Sequence, residues 1–107
     1  MRIITPKTLQ AYIDSLAGHA DQAAVRSSLE GWQREVRRAS WSSSADVKAL
    51  FATASIVSAD RIVFNIKGND HRLVAAVSYR KGIVWIIWIG SHKDYDNIDV
   101  RTIRHDN

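Results

Sequence analysis

Cysteine is absent from the chain, which removes disulfides and thiolate-bound metals and suits a reducing cytoplasm. No apolar run approaches the ~18 residues that a membrane-spanning helix needs. The opening stretch MRIITPKT is too short and too polar for a secretory signal. There is no internal repeat, no linker and no basic tail. What is present is ordinary globular material: 107 residues, 46 % apolar and 24 % charged. At this size ~60–70 % of the unfolded surface can be buried. One cytoplasmic domain over residues 1–107 is therefore expected, with no membrane partner.

Fifteen lysines and arginines stand against eleven aspartates and glutamates, a net charge of +4, and the pI is near 9.8. Such a bias fits a polyanionic partner. It fits a small domain with no such role equally well. The charges are spread evenly along the chain, so any binding surface has to be assembled by folding.

The stretch RIIT (2–5) reads as a short strand, and Thr5-Pro6 as a helix start, a capping hydroxyl before a proline at the first helical position. Leu9, Tyr12, Ile13 and Leu16 recur at helical spacing up to Gly18. A second helix, from about Asp21 to Ala39, carries Val25, Leu29, Trp32 and Val36 on one stripe. Arg26, Glu30 and Arg34 are spaced for ion pairs. Arg34, Arg37 and Arg38 read as a solvated face, with an RNA-phosphate contact as the minority reading. A serine-rich loop then leads to a helical turn capped by Ser43 or Ser44, expected to pack Val47, Leu50 and Phe51 inward.

From Ser55 onward the period changes to that of strands. RIVFNIK alternates, with Ile62, Phe64 and Ile66 on one side; KGND and RKG are turns. On HRLVAAVSYR, Arg72, Val74, Ala76, Ser78 and Arg80 share a face whose small residues leave room for something to lie against it. IVWIIWI is apolar on both faces, which places it inside the sheet. The sum is an α+β domain, two N-terminal helices on a mostly antiparallel, twisted sheet.

If the last two long strands are hairpin partners, their turns gather Asn69, Arg72, His92, Lys93 and Tyr95 at one end. A rigid apolar strand is a good mount for residues that must be held still. Arginine, lysine, histidine and tyrosine without a metal cluster suit cleavage of RNA by its own 2′-hydroxyl. Histidine serves as acid or base near neutral pH, arginine grips phosphate through paired hydrogen bonds, and tyrosine stacks on a base or donates to the 2′-hydroxyl. Each residue also has a structural reading. His92 can be a solvated or capping histidine, Arg72 an ion-pair partner of Asp70 or Asp94, Tyr95 a ring packed over the strand end, and Lys93 a solvated cation. His71 falls on the face opposite Arg72 and reads as structural; His19 and His105 have no evident partners. Trp32, Trp85 and Trp88 read as core. Trp41 is the one tryptophan with some claim to base stacking. His92, Asp94 and Asp96 make only a weak chelating set, so no metal or cofactor is expected.

VFNIKGNDHRLVAAVSY followed by IGSHKDYD resembles the HigB branch of the RelE-like bacterial toxins. Val63 to Asn69 and Arg72 match the first family motif, and His92, Tyr95 and Asp96 the second. Ser91 stands where threonine is usual and Asp94 where glutamate is common. ITPKTL resembles the family's opening. The resemblance implies a RelE-like fold and endonucleolytic cleavage of mRNA on translating ribosomes, which inhibits translation and growth. It implies a HigA-type helix-turn-helix antitoxin as partner, and operator DNA bound only through the complex with it. Arg72, His92 and Tyr95 would be catalytic, with Asn69, Lys93 and Lys67 as RNA contacts. A non-catalytic module that blocks translation by binding ribosome or RNA is the alternative. A DNA-binding repressor is disfavoured because no helix pair has helix-turn-helix spacing.

Overall fold

The structure is a computed structural model and describes residues 1–104 apart from Thr5 and Asn69. The elements run β1 (Arg2–Ile4), α1 (Lys7–Ser15), α2 (Gln22–Arg38), α3 (Ser44–Leu50), β2 (Ser55–Ile56), β3 (Arg61–Ile66), β4 (His71–Ser78), β5 (Ile83–Ser91) and α4 (His92–Tyr95). The strands form one sheet in the order β1-β5-β4-β3-β2. β2 to β5 pair antiparallel in succession, while β1 lies parallel to β5. This is an α+β chain with a mixed sheet. β5 runs between β1 and β4, so both of its edges are paired, with Val84, Ile86 and Ile89 buried and Trp85, Ile87 and Trp88 half-buried.

The apolar stripes of α1 (Leu9, Ile13) and α2 (Val25, Leu29, Trp32, Val36) close over Ile62, Phe64, Ile66, Leu73, Ala75, Val77, Val84 and Ile86 of the sheet. Proline with its fixed φ stands just before α1; Thr5, expected to cap it, lies outside the described residues, as does His105. At the turn between β4 and β5, Gly82 has φ +67, a region costly for residues with a Cβ.

Several expectations change. Trp41 is buried, its ring stacked 6.4 Å from Phe64 and edge-on to Phe51, so it belongs to the core and offers no face to a base. Trp85 and Trp88 are only half-buried and lie outside the core cluster. Trp85 alternates with buried Val84 and Ile86, and a bulge brings Trp88 to the same face: Ala75 pairs with Ile86 but Val74 with Trp88, so one extra residue on β5 resets the alternation. Leu50 points outward instead of inward, 43 % exposed, because α3 is too short to bury more than the one row led by Val47. The ion pairs expected along Arg26, Glu30 and Arg34 do not form among the described residues. β4 ends at Ser78, so Arg80 belongs to the turn and not to the face of Arg72.

The second sheet face is not bare. Val63 and Val74 are buried there outside the main cluster. Near Ala76, where room was expected, the chain's own C-terminal segment is tied down. Arg61, the cross-strand partner of Ala76, donates from Nη1 to the carbonyl oxygens of Val100 (3.0 Å) and Ile103.

Candidate functional site

The hairpin register sets the geometry. Arg72 on β4 faces Gly90 on β5 and Asn65 on β3, and His71 faces Ser91. β5 then turns directly into α4. Ser91 caps it, its Oγ accepting from the Asp94 amide at 3.1 Å. The amide of His92 donates to the Asp70 carbonyl at 2.9 Å, pinning α4 to the β3–β4 turn. Two backbone ends that are distant in sequence are thus locked together.

On the outer face, the Arg72 guanidinium carbon lies 6.0 Å from the centroid of the Tyr95 ring, within cation–π range. Tyr95 packs against Trp88, centroids 6.2 Å apart. Trp88 in turn lies across Gly90, where a Cβ would stand 2.5 Å from two of its ring atoms. Glycine is required there to let the indole lie flat between the strand end and Tyr95. His92 and Lys93 are exposed on α4. His92 Nδ1 sits 3.3 Å from an Asp96 carboxylate oxygen one turn on.

Beneath this layer runs a polar network. His71 is buried; its Nδ1 is 2.6 Å from the Tyr12 hydroxyl and its Nε2 3.3 Å from Asp21 Oδ2. Every group finds a partner if Nε2–H donates to Asp21 and Nδ1 accepts from Tyr12. Lys67 Nζ lies 2.9 Å from both Asp21 and Asp70, and the Lys67 amide donates to Ser28 Oγ at 3.0 Å. The donors of Lys67, then of His71, hold the Asp21 carboxyl below its usual value. The carboxylates of Asp70 and Asp21 raise the Lys67 ammonium. Burial, then the charges of Asp94 and Asp21, push the Tyr12 phenol up. This network knits α1 and α2 to the turn that presents Arg72.

Of the residues expected at the site, the structure brings Arg72 and Tyr95 into contact and sets His92 and Lys93 on the adjoining helix. Lys67 is close by, but its charge is matched by two carboxylates. Asn69 lies outside the described residues. Trp88 was missed because the bulge breaks the alternation that would have marked it as outward-facing. The Tyr12–His71–Asp21 chain joins residues far apart in sequence, and nothing local signals it. Among the described residues no three His, Cys, Asp or Glu side chains are gathered for a metal, and no helix is long and apolar enough to cross a membrane.

The architecture is thus a mixed sheet covered by helices, with a guanidinium–aromatic cluster at the end of its last hairpin. Residues 25–98, most of the chain and all of the cluster, match the family model of the HigB toxin, the RelE-like toxic component of a toxin–antitoxin system. The chain belongs to that family, and so has an antitoxin as its partner. No curated protein matches it.

Proposed function

We propose that this chain is an mRNA interferase, an endoribonuclease acting without a metal on mRNA at the ribosome, in the cytoplasm, as one domain over residues 1–107. In this reading the RNA 2′-oxygen attacks the neighbouring phosphorus and gives its proton to a base. The 5′-oxygen leaves with a proton from an acid, producing a 2′,3′-cyclic phosphate and a 5′-hydroxyl. Arg72 carries the charge that grows on the phosphate. His92 is acid or base. Tyr95 and Lys93 position the RNA, and Asn69 keeps the contact its motif implies. Lys67, ion-paired on both sides, contributes by fixing the turn. The antitoxin is of the HigA helix-turn-helix type, and operator DNA is bound through it alone.

The observation that carries this reading is the Arg72–Tyr95 pair at the mouth of a locked hairpin, with an exposed histidine on the next turn. The competing reading, a binder that blocks translation without cutting, draws on the same pair, since a guanidinium and two rings can hold RNA without proton transfer. The test is brief induction of wild type, Arg72→Ala and His92→Ala in bacteria with mRNA 5′ ends mapped. Wild type should arrest growth and create internal ends. Losing the guanidinium should cost ~3 kcal/mol of transition-state stabilisation, a rate loss on the order of a hundredfold. Arrest with intact transcripts would favour the binder; undiminished cleavage in both variants would remove the site.

A further inference from the structure

At the end of the sheet away from Arg72, the start of β1, the end of α2 and the β4–β5 turn enclose a cleft of about 500 Å³. Arg2, Arg37, Arg80 and Lys81 line it together with Ser40, Tyr79 and the covered edge of Trp41, and no carboxylate does. Arg37 also borders a second groove, along α2, with Arg34 and Arg38. All six cations are exposed, and none is in an ion pair among the described residues. The nearby carboxylates are Glu30, on the α2 groove, Glu35 on α2, and Asp46, whose oxygen is taken by Ser42 and whose charge reaches Tyr79.

Crowding six cations in this way raises the energy of the free protein, and a bound polyanion relieves it. Five of the six are arginines, whose planar fork matches phosphate oxygens in pairs. The aromatic residues offer no platform for bases: Trp41 is buried at 5 % exposure, and Tyr79 packs partly against the core. Single-stranded RNA is usually held by stacking, whereas base-paired RNA is held by its backbone and shape. The six steps along β4 from Arg72 to Ser78 span about 20 Å at strand rise, so Arg72 and the β4–β5 turn beyond Ser78 are too far apart to touch one phosphate.

We propose that this basic end, built by Arg2, Arg37, Arg80 and Lys81 and extended by Arg34 and Arg38, is a second RNA contact that holds the phosphate backbone of base-paired RNA. It rests on the nuclease reading only in taking RNA as the polyanion. The probe is a fluorescent RNA hairpin, 2′-O-methylated so that it cannot be cut, titrated at several salt concentrations against wild type, Arg72→Ala and the triple variant Arg37→Glu/Arg80→Glu/Lys81→Glu, each checked for an unchanged melting curve. Wild type should bind, and Arg72→Ala should lose no more than its own single phosphate contact, a log–log salt slope reduced by about 1. The triple variant should bind at least tenfold more weakly, with a log–log salt slope reduced by about 2–3, the loss of three phosphate contacts. Binding by the triple variant equal to wild type overturns the proposal. So does a loss in Arg72→Ala as large as in the triple variant, which would leave one RNA site and the nuclease reading intact. Poly-glutamate competing as well as the hairpin at equal charge would overturn it in favour of an acidic protein partner. The expected binding with no cleavage of mRNA by wild type would overturn the nuclease reading alone.

Discussion

Gly90→Ala tests the packing that seats the candidate site. The backbone at Gly90 is not in the positive-φ region, so alanine meets no backbone strain and the effect is steric alone. Its Cβ would stand 2.5 Å from Trp88 Cη2 and Cζ2 and 3.3 Å from Cζ3. Carbon atoms pack favourably at about 3.5–4.0 Å, so the indole has to retreat by about 1 Å. It cannot do so freely, because Tyr95 packs on it and carries Arg72 on its own ring. Overpacking of this kind costs about 1–3 kcal/mol. For a chain of this length that lowers the melting temperature by about 4 °C per kcal/mol. Cleavage should fall as well, since Tyr95 and Arg72 move with the indole. The decisive assay is a double-mutant cycle by urea unfolding with Trp88→Leu, which removes the obstructing ring. The cost of Gly90→Ala should then shrink, giving a coupling of at least about 1 kcal/mol. Additivity of the two substitutions would refute the packing argument.

The network under the site makes its own demands. Tyr12→Phe leaves His71 Nδ1 buried without its donor and should cost about 1–3 kcal/mol in urea unfolding; no measurable loss would mean that water replaces the phenol. Trp41→Ala should cost about 3–5 kcal/mol in urea unfolding as a core deletion; a cost near zero would mean that the ring is no part of the core. Because the Asp21 carboxyl is held below its usual value, the folded state binds its proton less readily than the unfolded chain. Its stabilisation is whole above the ordinary carboxylate value and is lost as pH falls through the lower folded one, so an acid titration of stability below about pH 4 should flatten in Asp21→Asn. Lys67 has the opposite sign: its contribution is whole below its usual value and is lost only as strongly alkaline pH passes the raised folded one.

Much of the fold was legible because it is written in local periods. The α2 stripe of Val25, Leu29, Trp32 and Val36 can be satisfied only by a helix lying on an apolar surface. The alternation of Ile62, Phe64 and Ile66 can be satisfied only by a strand facing the same way. The turn signals before His71 and Ile83 set the hairpin, and the hairpin brings Arg72 to the end where His92 and Tyr95 emerge. Leu50 and Trp41 went the other way for one reason. Hydropathy tells that a side chain is apolar, but how much of it is covered depends on what the neighbouring elements leave open.

The sequence by itself determined the types of the longer elements, the hairpin and the family, since each rests on spacings of a few residues or on motifs within one segment; the turn expected after Gly90 is instead the short helix α4. Tertiary structure alone decided the rest. A one-residue bulge turned Trp88 outward onto Gly90 and against Tyr95. Tyr12, Asp21, Lys67 and His71 became one network only when α1 and α2 folded over the β3–β4 turn. Arg2, Arg37 and Arg80 met at the far end because β1 enters the sheet beside β5, next to where α2 ends. Short-range spacing is encoded residue by residue, whereas contacts between distant segments depend on packing the whole chain at once.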